Sequence, residues 1–395
     1  MPILLVLLAV YVAAALAYWL WQAYALWRTL RGLPRLGDLD PPAPVAWPPL
    51  SVVVPARDEA DTIEAAARSL LAEDYPNLEI VFVDDRSADA TGAVIDRLAS
   101  EDGRVRAIHV AELPAGWLGK VNALRQGLDA SDGQWALFTD ADVHVARGTL
   151  RTAVAHALDG GLDHLAAFPS VHQASLVVDA AVSAFVRQLV ASMRPWAVRD
   201  ARSRAFMGIG AFNLVRRAAL DETEGFEWLR MEVGDDVGLG LVMKRAGKRS
   251  EVASAFGLVG LQWQTSLGRM ARNAEKGYGP VCRFSIVRSL VLAAVTLALE
   301  LAPFVAPLAL LWPELRPVGY AGLAATAAYL ATVVLLRRWA GTGVLSMLLG
   351  PLTAPLASAL MVRTAILGKR RRGAVWRGTL YSEADLRAGQ RVRFP

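Results

Sequence analysis

Residues 50–57, LSVVVPAR, decide how the middle of this chain reads. The run is short, rich in β-branched residues and stopped by Pro55, which marks a buried strand rather than a helix. DEADTIEAAARSLLAE (58–73) follows, with Ile63, Ala67, Leu70 and Leu71 at helical spacing. The alternation then repeats. LEIVFVDD (78–85) precedes RSADATGAVIDRLASE, VRAIHVAE (105–112) precedes the short helix GKVNALRQGLDAS, and WALFTDAD (135–142) is a fourth strand. Short apolar runs alternating with amphipathic helices predict βαβ units, a parallel sheet and an α/β fold.

In open α/β sheets ligands bind outside the carboxyl ends of the strands. Acidic residues gather at those ends: Asp58 and Glu59 after the first strand, Asp84 and Asp85 at the second, Asp140 and Asp142 at the fourth. One such acid is ordinary, because aspartate opens turns and caps helices, and Asp58 and Asp85 stand open to that reading. Three acidic pairs on one rim cost electrostatic free energy unless a cation or a donor offsets them. For Asp140 and Asp142 a cation is the favoured reading, since carboxylates at i and i+2 of a strand point the same way. Hard oxygen ligands suit Mg²⁺ or Mn²⁺, with phosphate oxygens and waters completing the shell. The five histidines, His109, His144, His156, His164 and His172, lack ligand spacing, and His144 is taken as a bystander of Asp142. Neither a GxxxxGK[ST] loop nor a GxGxxG fingerprint follows the first strand, which disfavours P-loop NTPases and dehydrogenases.

The ends of the chain are of another kind. The 395 residues are 54% hydrophobic and 20% charged, with mean hydropathy +0.33, more apolar than an ordinary soluble enzyme. Residues 2–27 carry no charge and exceed the roughly 20 apolar residues that cross a bilayer. Their length and the lack of a basic leading region argue against a signal peptide. The basic flank RTLRGLPR and the belt of Trp19, Trp21 and Trp27 make 1–29 an expected anchor, its N-terminus outside and residue 28 onward cytoplasmic. Residues 30–49 contain the Pro-rich stretch of a stiff linker. Runs 287–312, 318–336 and 342–362, within a C-terminal membrane region 286–363, are each long enough to span. Three crossings would put GKRRRGAVWR outside, against the positive-inside rule, so one run is expected not to cross fully. The candidates are 342–362, broken by Gly350, Pro351 and Pro355, and 287–312, with Glu300, Pro303 and Pro307. Residues 364–395 read as a basic cytoplasmic tail. An apolar helical segment at 172–198 is expected to be core or membrane-facing. The net charge of +5 lies partly at membrane flanks, which anionic headgroups explain better than nucleic acid does. The single Cys282 rules out an intrachain disulfide and fits a reducing compartment.

VVVPARDEADTI, VFVDDRSADAT, GWLGKVNAL, FTDAD, GIGAFNLVRRAAL and GDDVGLGLVMKRAGKR, in this order over 51–249, resemble the GT-A domain of glycosyltransferase family 2. The resemblance implies a Rossmann-like mixed sheet, at 50–285, set between transmembrane helices. GWxGKxxAL and the flanking apolar segments resemble the membrane-bound bacterial branch of hopene-associated and carotenoid (diaponeurosporenoate) glycosyltransferases. Roles follow by resemblance. Pro55, Ala56, Arg57 and Glu59 would frame the nucleotide base, and Asp85 would contact the nucleoside with Asp84 beside it. Lys120 would approach the donor near its base or phosphates. Asp140 and Asp142 would be the DxD pair, with Asp142 the more direct metal ligand. Asp236 would be the catalytic base, although Asp235 replaces the usual Glu and leaves the choice between the two open. Without the family, Asp235–Asp236 reads as an acidic pair at a helix N-terminus.

The implied chemistry is inverting transfer from a UDP- or GDP-sugar to a lipid-type hydroxyl or carboxyl. A divalent ion would offset the leaving diphosphate, and a carboxylate would take the acceptor's proton. The QxxRW motif of processive synthases is absent, which disfavours polymer synthesis. Arg269, Arg272 and Lys276 form a basic cluster at helical spacing, suited equally to a pyrophosphate or to a membrane surface. A non-catalytic glycosyltransferase-like membrane partner is the reading from another class, and the intact acids speak against it.

Overall fold

The computed structural model describes residues 2–172, 174–340 and 343–393. Met1, Gln173, Gly341, Thr342, Phe394 and Pro395, at the edges of the expected anchor, apolar segment, last run and tail, lie outside the described residues.

The first half follows the sequence pattern closely. Helix α1 (Pro2–Gly32) leads to β1 (Leu50–Ala56), α2 (Ile63–Leu71), β2 (Leu78–Asp84), α3 (Thr91–Glu101), β3 (Val105–His109), α4 (Gly119–Asp129) and β4 (Trp135–Phe138). Then come β5 (His144–Val145), α5 (Thr149–Asp159), β6 (His164–Phe168), β7 (Ser170–Val171), α6 (Leu176–Met193) and β8 (Asn213–Arg216). Three helices follow, α7 (Arg217–Asp221), α8 (Gly225–Leu229) and α9 (Asp235–Arg245), and after them β9 (Ser250–Ser254) and β10 (Val259–Leu261). The remainder is α10 (Leu267–Val281), α11 (Ile286–Val305), α12 (Arg316–Ala340), α13 (Val344–Leu349), α14 (Ala354–Arg371), β11 (Gly373–Trp376), β12 (Thr379–Ser382) and α15 (Glu383–Gly389).

Seven strands form one sheet in the order β3-β2-β1-β4-β8-β6-β9. The sheet is mixed, because β8 runs antiparallel to both β4 and β6, while the other pairs are parallel. Periodicity alone predicted a parallel sheet. It has no purchase on β8, which enters only after the long excursion through α6. The two faces bury alternate residues of the same strands, as a period of two requires. Val52, Val54, Ile80 and Phe82 pack on one side, and Val53, Ala136, Phe138 and Val215 on the other.

A third apolar cluster joins the sheet to the long helices. Trp19 and Leu26 of α1, Val190 of α6 and Tyr329 and Val333 of α12 pack with Phe168 and Val252 of β6 and β9. Among the described residues, five helical segments are long and apolar enough to cross a membrane: Ile3–Gly32, Leu176–Ala197, Ile286–Leu311, Pro313–Arg337 and Val344–Arg371. Four coincide with the runs seen in the sequence. The other, Leu176–Ala197, lies within the 172–198 segment, and half of its most apolar stretch is buried in the protein. The last segment is interrupted by a 3₁₀ turn at Gly350–Thr353, where Pro351 removes a helical donor.

A buried polar cluster ties α1, α6 and α11. Arg187 on α6 pairs with Glu300 on α11 at 2.6 Å, Gln188 Nε2 donates to Glu300 at 2.9 Å, and the Tyr18 hydroxyl of α1 donates to the same carboxylate. The guanidinium also lies 4.4 Å from the Trp19 ring. Removing one partner of a buried pair strands the other, at about 3–5 kcal/mol. Arg187→Ala is therefore expected to lower thermal stability in detergent, and Arg187→Ala/Glu300→Gln to recover part of the loss. Equal melting temperatures for wild type and Arg187→Ala would refute this assignment.

Candidate active site

The carboxyl ends of β1, β2 and β4 and the start of α9 converge on one cleft. Strand β4 stops at Phe138, so Asp140 and Asp142 lie in the turn that follows it, not at alternate positions of the strand as expected from the sequence. Val143 N–H donates to the Asp140 carbonyl at 3.3 Å, and this turn sets the two side chains in place of strand alternation. Asp140 N–H donates to the Gly210 carbonyl at 3.1 Å, and the Thr139 hydroxyl to that of Ala211 at 2.7 Å. These bonds tie TDAD to the GIGAF segment.

Lys120, in the first turn of α4, is the hub. Its Nζ lies 2.7 Å from Asp140 Oδ1 and 3.2 Å from Asp235 Oδ2. Lys120 and Asp235 are buried, while the Asp140 side chain is 32% exposed and so faces the cleft. Burial alone would push the Lys120 ammonium down, but Asp140, Asp235 and Asp236 outweigh it and hold it above its ordinary value. For Asp140 burial likewise works upward, and Lys120, Lys276 and Arg377 together hold the carboxyl below its ordinary value.

Asp236, half-buried at the start of α9, accepts from Gly210 N–H at 2.9 Å and from Val237 N–H at 2.8 Å. Burial, then the charge of Asp235, pushes its carboxyl above the ordinary range. Gly210 stands between the two acids: a Cβ there would be 2.8 Å from Asp140 Oδ2 and 3.3 Å from Asp236 Oδ2. At Gly208 a Cβ would fall 1.8 Å from the Asp236 carbonyl oxygen, a backbone atom. Two different outcomes are expected. Gly208→Ala forces the backbone apart and lowers stability. Gly210→Ala keeps the fold but displaces the carboxylates and loses activity. Melting curves and turnover of the two variants separate these cases.

Asp142 is pushed up to about 6, first by burial and then by the charges of Asp140 and Glu59, with Arg269 acting in the opposite direction. The negative charges of Asp140 and Glu59 both act on Asp142, and a hard cation would relieve that repulsion. No group of three or more metal-ligating side chains is found among the described residues. The donor set fits a divalent ion as a partial shell of Asp142 and Asp140, with open positions for phosphate oxygens and water.

At the neighbouring rim, Asp85 is fully buried and pairs with Arg86 at 2.8 Å through Oδ1. Its Oδ2 is buried without a hydrogen bond, 3.9 Å from Arg57 Nη1. Pro55 and Ala56 are buried at the end of β1, where the Ala56 carbonyl accepts from Asp85 N–H at 2.8 Å. Glu59 is held by the Thr62 hydroxyl at 3.0 Å. Asp84 is occupied elsewhere: it accepts from Ser87 N–H at 3.1 Å and lies 3.2 Å from His109 Nδ1. On α10, Arg269 bears on Asp142 and Lys276 on Asp140 and Asp236, while Arg272 is exposed. Residues 364–393 are placed as the end of α14, a hairpin and a short helix, and the hairpin reaches this site. The Tyr381 hydroxyl accepts from Gly119 N–H at 3.2 Å, next to Lys120.

The model of the family described as Glycosyl transferase family 2 matches residues 51–223. The β-monoglucosyldiacylglycerol synthase of Synechocystis sp. is 26% identical over 248 residues, covering 58% of this chain and 50% of the relative. The GalNAc(5)-diNAcBac-PP-undecaprenol beta-1,3-glucosyltransferase of Campylobacter jejuni is 33% identical over 113 residues, covering 29% and 36%. The chain thus spans half or less of the length of these curated relatives. A mannosyltransferase of Pyrobaculum calidifontis, solved with GDP-mannose and Mn²⁺, has a similar fold, with TM-score 0.52 and 19% identity over 92% of this chain and 99% of its own. Residues 51–223 thus match the family 2 glycosyltransferase model and lie within an α/β domain of the GT-A fold.

Proposed function

We propose that the protein is a membrane-bound inverting glycosyltransferase, moving a sugar from a nucleotide-diphosphate-sugar, UDP- or GDP-linked, to a lipid-type acceptor at the cytoplasmic leaflet. The observation that carries this reading is the cluster of Lys120, Asp140, Asp235 and Asp236 beside Asp142. It lies in a family 2 domain packed against apolar helices. The lipid acceptor is supported by the two curated relatives, whose names specify a diacylglycerol and an undecaprenol acceptor. The hopene- and carotenoid-type branch is the finer assignment. The domain division stands with it: anchor 1–29, linker 30–49, catalytic region 50–285, membrane region 286–363, and 364–395 on the cytoplasmic side, in a multi-pass arrangement.

The residues divide the work. Pro55, Ala56, Arg57, Glu59 and Asp85 would hold the nucleoside, with Asp84 bracing the turn. Arg269 and Arg272 would contribute positive charge toward the donor. Asp142 and Asp140 would hold Mg²⁺ or Mn²⁺, which supplies charge against the leaving diphosphate. Lys120 fixes Asp140 and Asp235 relative to each other. Asp236, open to the cleft and oriented by two backbone N–H groups, would take the acceptor proton as the new glycosidic bond forms on the face opposite the departing diphosphate. Asp235, spent on Lys120, is less suited to that role.

The test is a panel of UDP- and GDP-sugars with the purified full-length chain, Mn²⁺ and a bacterial membrane-lipid extract, read by mass spectrometry of the lipids. Mass gain of one hexose on a lipid is expected. Neither transfer nor hydrolysis of any donor would sink the proposal, and long polymers would point to a processive synthase.

A further inference from the structure

The hairpin β11–β12 closes with Trp376 opposite Thr379, leaving Arg377 and Gly378 as a two-residue loop. Both have positive φ, 46° and 75°, the conformation of a type I′ turn. That turn favours Asn, Asp or Gly at its first position, and an arginine there is strained. Strain held in place by the surrounding structure tends to mark functional sites.

The hairpin follows the last apolar helix, far from the family domain in sequence, yet it is fixed against the cleft. Tyr381 meets Gly119 at the start of α4, and a Cβ at Gly378 would lie 3.4 Å from Arg57 Nη2. The Trp376 ring lies 5.2 Å from Lys276 Nζ. Downstream, Arg391 N–H and Val392 N–H donate to the Glu232 carboxylate at 2.5 and 2.8 Å, pinning the chain to the segment just before Asp235 and Asp236.

Two guanidiniums of this region, one on the hairpin and one after β1, have donors unused. Arg377 Nη1, and Nε and Nη1 of Arg57, are closed to solvent and make no hydrogen bond. Arg57 lies 3.9 Å from Asp58 and from Asp85, too far for one. Buried donors without acceptors are costly, and charged ones more so. Lys120, the obvious cation, is already engaged by Asp140 and Asp235.

We propose that Arg377, delivered by the C-terminal hairpin beside Arg57 of the nucleoside site, is a diphosphate clamp of the donor site. Guanidiniums present paired N–H groups in the geometry that phosphate oxygens accept, which an ammonium does not. This rests on the nucleotide-sugar reading above and adds Arg377 to the charges that would face the diphosphate.

The test uses the full-length protein in detergent, titrated with UDP and GDP in Mn²⁺ and separately with uridine and guanosine. The informative variant is Arg377→Asn, because asparagine suits the turn. It is expected to melt at or above the wild-type temperature while binding its preferred nucleoside diphosphate about 10- to 100-fold more weakly. Nucleoside affinity should hardly change, Arg377→Lys should fall between, and Arg370→Ala, at the exposed end of α14, should match wild type. Equal diphosphate affinity in Arg377→Asn overturns the clamp. Tighter binding also overturns it and makes the hairpin a plug. If wild type binds neither UDP nor GDP, the donor reading itself fails.

Discussion

Asp236→Asn should lower turnover by about 10²–10⁴-fold, the range in which a positioned general base contributes, while leaving the donor KM close to wild type. The expectation rests on access and orientation. Asp236 is open to the cleft, and its oxygens are oriented by Gly210 and Val237 N–H groups, whereas Asp235 is sealed against Lys120. The pH profile carries a second signature. Burial and then Asp235 raise the Asp236 carboxyl, so its acid limb should lie above the ordinary carboxylate value. The sign is fixed: the protonated acid cannot accept the acceptor's proton, so the rate falls as pH falls through that limb. Asp235→Asn should behave differently, changing stability and KM together because it releases Lys120. Turnover unchanged in Asp236→Asn, with turnover lost and stability kept in Asp235→Asn, would exchange the two roles.

The part of this site legible in the sequence is the part built from local pattern. Strands β1, β2 and β4 are short β-branched or apolar runs, and such a run followed by an acid announces both the strand and its rim. Asp58, Asp85, Asp140 and Asp142 could be placed there before any geometry was known. What periodicity could not give is convergence across the chain. The antiparallel β8 arrives after the α6 excursion, and nothing in NLVR states its direction. Gly210 lay inside a motif that was recognised, but the need for a bare Cα appears only when Asp140 and Asp236 are seen on either side of it. Arg377 lay in a stretch that reads as a basic tail. Its one local signal was Arg-Gly between GAVW and TLYS, the spacing of a two-residue hairpin. Even that signal says nothing of the cleft it reaches. Conversely, Asp84 shares the rim by sequence but is occupied by Ser87 and His109.

Lys120→Met is expected to lose both activity and stability, and the pairing of the two losses is what identifies Lys120 as the hub. The substitution keeps roughly the volume of the side chain but leaves Asp235 buried and uncompensated, at about 3–5 kcal/mol. Asp140 suffers less, because about a third of its side chain reaches the cleft and can recruit water. Removing the stranded charge should therefore restore part of what was lost: Lys120→Met/Asp235→Asn should melt between Lys120→Met and wild type. Pairs in direct contact depart from additivity, so the double variant should be more stable than the sum of the two single losses predicts. Activity should not return with stability, since Asp140 and the start of α9 no longer share a fixed partner. Simple additivity in the melting data would mean that Lys120 and Asp235 do not depend on each other. A double variant that regained turnover would mean that Lys120 serves only to neutralise a buried acid.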